Sequence, residues 1–418
     1  MICGDWTRFS KWGVTDKGFP WLDGRERRAF FLYDTATIIN NTNRVREIWQ
    51  PLSSHEQSSH AQHLFYSIKA NPNGDLIRFI SNSVDGFDVS SGIELRALLE
   101  LGIQPQRITL SGPAKTDECL ELAIHAGIHA IHLDSVEEYQ AIRGLMKAST
   151  RSPGMTLRVP LNDPLSQKLG LPESDLIALL SRAVPGEFAG FHAYLGRESF
   201  SEELCIGMLH RMQDLLRAYP AAFGKEFAVY LGPGLPAKEL QEQRPFQHSA
   251  HQPFPFPIHF EGGRTLISDA GCYGAPILSV KRGLGGLEQI VIVDGGFQHV
   301  ASSLPSPVFS DRAIACLALR GSGILTTETT PTDVFGSLSL SHDALLSRAS
   351  LPSNLQRGDW LLFSPCGAYG YTTAANQFIG HPQPEEWLLK SNSPSPVSAN
   401  AAFRPYHFSF PRTEVSHD

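Results

Sequence analysis

Gly86-Phe-Asp-Val-Ser-Ser-Gly-Ile-Glu-Leu-Arg-Ala-Leu-Leu-Glu-Leu-Gly102 reads as one strand followed by one capped helix. Gly86–Val89 is a short β-like run, and Ser91-Gly-Ile-Glu94 has the spacing of a capping box. In such a box the Ser side chain accepts one orphan N–H and the Glu three residues on accepts another. Leu95, Leu98 and Leu99 follow at helical spacing, and Gly102 suits the position just past a helix end. The unit recurs: Ser135-Val-Glu-Glu138 repeats the box, and Thr116-Asp-Glu opens a helix that Gly127 closes.

Working outward gives eight strand candidates: Phe65–Lys69, Gly86–Val89, Arg107–Leu110, Ala130–Leu133, Thr156–Val159, Ala189–Tyr194, Ala228–Leu231 and Ile258–Glu261. Most are separated by enough chain for one helix, the rhythm of parallel βα units. Eight strands in about 200 residues suit a closed (β/α)8 TIM barrel. A doubly wound sheet is the alternative that this pattern leaves open. After residue 265 the runs Gln289–Val293, Ile314–Leu319 and Trp360–Phe363 are separated by Gly, Pro and Ser, without long amphipathic helices. They predict a C-terminal antiparallel β-barrel or sandwich domain. The expected division is an N-terminal segment joining the β domain (1–30), the barrel (31–265), the β domain (266–390) and a mobile tail (391–418).

Composition narrows the class. The 418 residues are 42% hydrophobic and 18% charged, which excludes a disordered chain. Lys+Arg 35 against Asp+Glu 42 leaves a net charge of −7 with no basic run, so nucleic acid is not an expected partner. No apolar stretch is long enough for a membrane span. The first residues lack a signal peptide's basic and apolar regions. Six scattered cysteines show neither CxxC nor metal-ligand spacing, so a reduced cytoplasmic protein without a metal site is expected.

In a barrel, function sits at the C-terminal ends of the strands. Lys69 closes Leu64-Phe-Tyr-Ser-Ile-Lys69 there, where a dry mouth would favour the neutral amine and Schiff-base chemistry. Leu231-Gly-Pro-Gly234 is a Gly-rich turn whose backbone N–H groups can approach a phosphate. Glu261-Gly-Gly-Arg264 offers a carboxylate for a protonated ring nitrogen and a guanidinium for phosphate. Gly367-Ala-Tyr369-Gly adds a phenol from the second domain. Together these groups describe a pyridoxal 5′-phosphate site.

With Tyr66-Ser-Ile-Lys69-Ala-Asn71, Phe87–Glu94 and Gly358–Gly370, these motifs run in order through nearly the whole chain. The sequence thereby resembles the fold-type III decarboxylases, the ornithine/diaminopimelate/arginine decarboxylase family, whose barrel is that of alanine racemase. Ser111–Glu118, Thr330-Pro-Thr-Asp333-Val-Phe and His381-Pro-Gln-Pro-Glu385 look most like the siderophore-biosynthesis branch, which decarboxylates amino acids already coupled to citrate or a similar carboxylate. The resemblance implies that Lys69 binds pyridoxal 5′-phosphate covalently and Glu261 pairs with its ring nitrogen. Gly232, Gly234, Arg264 and Tyr369 would hold the phosphate. Asp88 and Glu94 would stand near the lysine, with Arg158 and His192 lining the interior. It also implies a homodimer whose active sites are shared across the interface.

Three positions depart from the family pattern. The family's second strand-end histidine, read as stacking on the cofactor, is Tyr194, and a small Ser is replaced by Arg197, a candidate for a substrate carboxylate. The family's partner-supplied cysteine is Thr329 in Thr329-Thr-Pro-Thr-Asp333, with Asp333 as its acidic companion and substrate contact. A second alignment places Ser339 and Asp343 there instead. A threonine hydroxyl is a far weaker acid than a thiol. The expected function is therefore decarboxylation of an amino acid or amino-acid conjugate. Racemisation, decarboxylation-linked transamination and a non-catalytic homologue are the alternatives, the last opposed by the intact Lys69 and Glu261.

Overall fold

The computed structural model describes residues 7–15, 19–24, 26–52, 63–147, 149, 152–161, 168–196, 200–246, 253–282, 289–300, 315–320, 325–390 and 393–396. The chain enters through α1 (Thr7–Ser10), β1 (Phe30–Asp34) and α2 (Thr35–Trp49). All eight predicted strands then form: β2 (Leu64–Ser67), β3 (Gly86–Val89), β4 (Ile108–Leu110), β5 (Ala130–Leu133), β6 (Gly154–Arg158), β7 (Phe188–Tyr194), β8 (Phe223–Gly232) and β9 (Ile258–Gly262). Neighbours pair in parallel, and β2 meets β9 through Leu64–Phe260, Phe65–Glu261 and Tyr66–Gly262. The sheet is a closed barrel, which removes the doubly wound alternative.

The connecting helices include α3 (Gly74–Ile80), α4 (Gly92–Glu100), α5 (Asp117–Ala126), α6 (Val136–Met146), α7 (Glu173–Arg182) and α8 (Glu202–Ala218). Their caps secure the strand ends where a barrel site forms. Ser91 Oγ accepts the Glu94 N–H at 3.2 Å, while Glu94 reaches one residue past the cap to the Ser90 N–H at 2.6 Å. Ser135 and Glu138 repeat this, with Glu138 taking the Asp134 N–H at 2.8 Å. Gly127 ends α5 at φ 70°, a left-handed conformation that costs a side-chain-bearing residue energy.

A short helix α9 (Arg264–Ile267) leads into the second domain, a nine-stranded sheet. It contains β1, β10 (Gly271–Lys281), β11 (Gln289–Val293), β12 (Ala315–Leu319), β13 (Thr329–Phe335), β14 (Ala344–Pro352), β15 (Trp360–Ser364), β16 (Glu385–Lys390) and β17 (Ser393–Pro396). The sheet is mostly antiparallel, as expected, with two parallel pairings, β1–β16 and β11–β13. The boundary at residue 31 moves. β1 belongs to this sheet, and the first barrel strand begins at Leu64.

All five β1 residues are buried because its two faces serve different cores. Phe31 and Tyr33 join the large core shared with the barrel, whereas Phe30 and Leu32 join Phe9, Trp12, Phe19, Leu22, Trp360 and Leu362. Strand alternation sends successive side chains to opposite faces, so one strand ties the N-terminal segment, the sheet and the barrel together. Of the tail expected to be mobile, Ser393–Pro396 pairs with β16, and residues 391–392 and 397–418 lie outside the described residues.

Candidate active site

Lys69 stands in a single tight turn, Ile68–Ala70, directly after β2. Its Nζ lies 3.8 Å from Oδ2 of Asp88 on the neighbouring strand β3, whose side chain is fully buried. Burial lowers the lysine's pKa, but Asp88, Tyr369, Glu261 and Tyr194 outweigh it and push it up to about 12. The amine is therefore an ammonium here, correcting the expectation that desolvation alone would leave it neutral. Asp88 moves the other way: burial and the Glu261 charge raise its carboxyl to about 7 against the pull of Lys69. Glu94, committed to the Ser90 N–H, is raised by burial as well.

Glu261 near the end of β9 is held between two histidines. His192 Nε2 is 3.2 Å from Oε2, and His132 Nε2 is 3.3 Å from Oε1. The imidazoles stack at 4.2 Å with planes 15° apart. Burial opposes the charge on Glu261, yet His192 and His132 hold its pKa well below the usual carboxylate range. Burial also lowers His192 to about 4 against the attraction of Glu261, so a neutral ring faces an anion. His132 was absent from the sequence-predicted set. Its signal was a polar residue on a strand otherwise read as apolar, a pattern that a satisfied core histidine shares.

The phosphate-side residues converge too. A Cβ on Gly232 would come within 2.8 Å of the Tyr194 ring and 3.7 Å of Glu261 Oε2, so glycine keeps this floor open. Gly234 adopts φ 74° in the turn that follows. Arg264 lies over the Tyr369 ring, 5.1 Å from its centroid, a cation–π contact spanning the two domains. Tyr369 reaches the barrel because its loop docks there: its N–H donates to Ala70 O at 2.7 Å, and the Gly367 N–H donates to Ser268 O at 2.9 Å. A Cβ on Gly367 would sit 1.8 Å from Ile267 O, so only glycine permits this approach. The loop thus fastens the lysine turn and the Arg264 turn at once.

Arg158 ends β6 and is bound to Asp134 at 3.1 Å, both buried. Asp134 also accepts the Gly170 N–H at 2.7 Å, and Lys115 lies 2.8 Å from Glu138. Arg158 is thus part of a buried network of two cations and two anions. Thr329 and Asp333 lie elsewhere, on β13: the exposed Thr329 hydroxyl accepts from Ser350 at 2.8 Å, and Asp333 accepts the Arg348 N–H at 2.7 Å. In the rival alignment Ser339 is exposed, but Asp343 is buried, accepting the Phe297 and Leu338 N–H groups at 2.7 and 2.8 Å. A carboxylate so enclosed cannot be offered to another copy of the chain, whereas Thr329 and Asp333 stand near the surface. Arg197 lies outside the described residues.

These groups fit pyridoxal 5′-phosphate. An amine for its aldehyde after β2, an anion for a ring N–H on β9, a side-chain-free floor at the end of β8 and a guanidinium after β9 gather at one end of the barrel. Both Asp88 oxygens and Glu261 Oε1 are buried without an aligned hydrogen-bond donor among the described residues. Such atoms are costly unless a ligand satisfies them. His132, His192 and Glu261 also have ligand atoms within 4.8 Å of one another, as a metal site would, but the lysine and the open floor beside them have no use in such a site.

Comparison with known proteins agrees with this geometry. Residues 45–170 match the pyridoxal binding domain of the pyridoxal-dependent decarboxylases. An L-glutamyl-[BtrI acyl-carrier protein] decarboxylase of Niallia circulans is 26% identical over 89% of this chain and 91% of that one. A 2-[(L-alanin-3-ylcarbamoyl)methyl]-2-hydroxybutanedioate decarboxylase of Staphylococcus aureus is 22% identical over 85% and 92%. The solved diaminopimelate decarboxylase of Helicobacter pylori, complexed with L-lysine, superposes with a TM-score of 0.72 at 21% identity, covering 90% of this chain and 95% of that one. Residues 45–170 are thus matched to the pyridoxal binding domain of the pyridoxal-dependent decarboxylases, and most of the chain is similar to decarboxylases of that kind.

Proposed function

We propose that this protein is a pyridoxal 5′-phosphate-dependent decarboxylase acting on the α-carboxylate of an amino acid carried within a larger conjugate. One observation carries the reaction class: Lys69 and Glu261 come from the adjoining strands β2 and β9, the first beside Asp88 and the second held as an anion by His192 and His132. When bound, the cofactor supplies an electron sink for the pair left behind as CO2 departs.

The chain's own residues do the rest. Lys69 would hold the cofactor through its aldehyde, and its Nζ must first lose a proton. Asp88, whose Oδ2 lies 3.8 Å away, is the carboxylate beside it. Glu261 keeps a proton on the ring nitrogen. Gly232, Gly234, Arg264 and Tyr369 would bind the phosphate, with Tyr194 forming a wall beside Gly232. Arg158, His192 and Glu94 fix the surrounding strand ends. Arg197 is the candidate for a substrate carboxylate.

Two features favour a conjugated substrate. Relatives named for a carrier-protein-linked glutamyl group and for a hydroxybutanedioate amide cover most of the chain. In addition, Thr329 is followed by Thr330-Pro331-Thr332, with no acid directly after it to pair with a free terminal amine. We place the active site at a homodimer interface, with Thr329 and Asp333 offered by the second copy to return a proton to the reacting carbon. A cytoplasmic setting belongs to the same reading, supported by free cysteines 119, 205, 272, 316 and 366. No helix among the described residues is long and apolar enough to cross a membrane. The test is CO2 release from diamino acids and from their citrate-type amides. Turnover of the amides with little release from free ornithine, lysine or diaminopimelate supports the reading, and the reverse order contradicts it.

A further inference from the structure

His132 stands on β5 inside the barrel, fully buried, and the family motifs give it no task. Its Nδ1 is 2.5 Å from the Thr156 hydroxyl on β6, and its Nε2 is 3.3 Å from Glu261 Oε1. One ring contact is His192 at 4.2 Å, and another is Tyr230 at 4.9 Å. The hydrogen-bond inventory selects the tautomer. A proton on Nδ1 would leave an Nε2 lone pair against a buried carboxylate, two acceptors with no hydrogen between them. With the Thr156 O–H donating to Nδ1, the ring proton falls on Nε2, the atom 3.3 Å from Glu261 Oε1.

We propose that His132 is a positioning residue for the ring-nitrogen acid: tautomer-locked by Thr156, it holds its Nε2–H dipole 3.3 Å from Glu261 Oε1, close but not aligned as a hydrogen bond, and so keeps that carboxylate ionised with Oε1 left open toward the cofactor. The inference rests on the cofactor reading above. Its logic lies in the neutrality of the donor. A hydrogen bond to the charged form or a donor dipole close beside it favours that form, so His192, bonded to Oε2, and His132, close to Oε1, keep Glu261 an anion. A cation in either place would do the same but would also repel a protonated ring nitrogen. Oε1 accepts no aligned hydrogen bond among the described residues, so it stays available to a ring N–H with His132 beside it. The groups facing His132 are Glu261, His192, Tyr230 and His129, while Lys115 donates to its main-chain carbonyl at 2.7 Å.

The experiment compares wild type with His132→Phe, His132→Gln and Thr156→Val. Cofactor affinity is measured by fluorescence titration, the pH dependence of cofactor absorbance by spectroscopy, and ring protonation by ¹⁵N NMR of the histidines. His132→Phe keeps the stacking but removes the donor, so the cofactor Kd should rise about tenfold, equivalent to one pKa unit at Glu261. Its absorbance titration should shift, and kcat should fall with KM unchanged. His132→Gln returns an N–H near the Nε2 position and should recover most of the loss. Thr156→Val should show Nδ1–H signal that wild type lacks.

Wild-type cofactor affinity and an unshifted titration in His132→Phe would overturn the proposal, as would an Nδ1–H ring in wild type. If His132→Phe does not fold, the Gln and Val variants decide by the same readouts. Failure of wild type to take up pyridoxal 5′-phosphate overturns the cofactor reading, and this inference with it. Uptake with an unperturbed variant overturns this inference alone.

Discussion

Two pairs of stacked histidines lie inside the same barrel. His132 and His192 stack at 4.2 Å near the C-terminal ends of the strands, and His63 and His259 stack at 4.6 Å near the N-terminal ends. The mouth pair touches Glu261. The far pair touches Phe65 and Tyr230, and the Tyr230 hydroxyl lies 2.7 Å from His129 Nε2. Burial holds the far histidines neutral: His63 is lowered, His129 falls to about 4 and His259 falls well below the free imidazole. Similar rings with similar packing thus do different work. At the mouth they support an anion, and at the base they fill space. The carboxylate and the neighbouring lysine make the mouth a site, not the histidines as such.

The contrast between mouth and base breaks most sharply at Lys69. Lys69→Ala should abolish CO2 release while leaving the thermal transition within a few degrees of wild type, because its side chain is about half exposed. Glu261→Gln comes next. It keeps the shape and removes the charge, and kcat should fall about 10²–10³-fold, the usual loss for one preorganised electrostatic group. An equivalent swap at the base, His259→Gln, should change kcat by less than about twofold while lowering stability. Equal losses at the two ends would dissolve the distinction between site and filler.

A pH series sharpens it further. The folded-state pKa values of His129, His192 and His259 lie below that of a free imidazole, so the unfolded chain binds protons first as pH falls. Stability should be complete above about pH 6.5 and drain away toward pH 4. His129 alone, shifted to about 4, accounts for roughly 2–3 kcal/mol of that loss. Urea midpoints at pH 7 and pH 5 should therefore differ less in His129→Gln than in wild type, and an unchanged difference would contradict the assignment. The smallest expected effect is at Thr329→Cys: a stronger acid should raise the yield of amine relative to carbonyl by-product without changing cofactor binding. An unchanged ratio would place the proton donor elsewhere.

The barrel was legible because each unit carries its own punctuation. Ser91, Glu94 and Gly102, or Thr116 and Gly127, mark a helix within a few residues of the strand it follows. The second domain was less so. β1–β16 joins residues more than 350 positions apart, and no local pattern declares that Phe30–Asp34 will leave the barrel for this sheet. Lys69, Glu261, Arg264 and Tyr369 were singled out by their motifs, and the structure brings them to one end of the barrel. The charge state of Lys69 was not legible, since Asp88 and three further groups reverse what burial alone does to it. His132 was missed because one imidazole on an interior strand looks the same in sequence whether it packs against a carboxylate, as here, or against Tyr230, as His129 does.

The most direct test of the central claim is to load the protein with pyridoxal 5′-phosphate, reduce it with borohydride and map the modified peptide. A single pyridoxyl group, on Lys69, is the predicted result. Modification at another lysine, or none in protein that is folded, would contradict it.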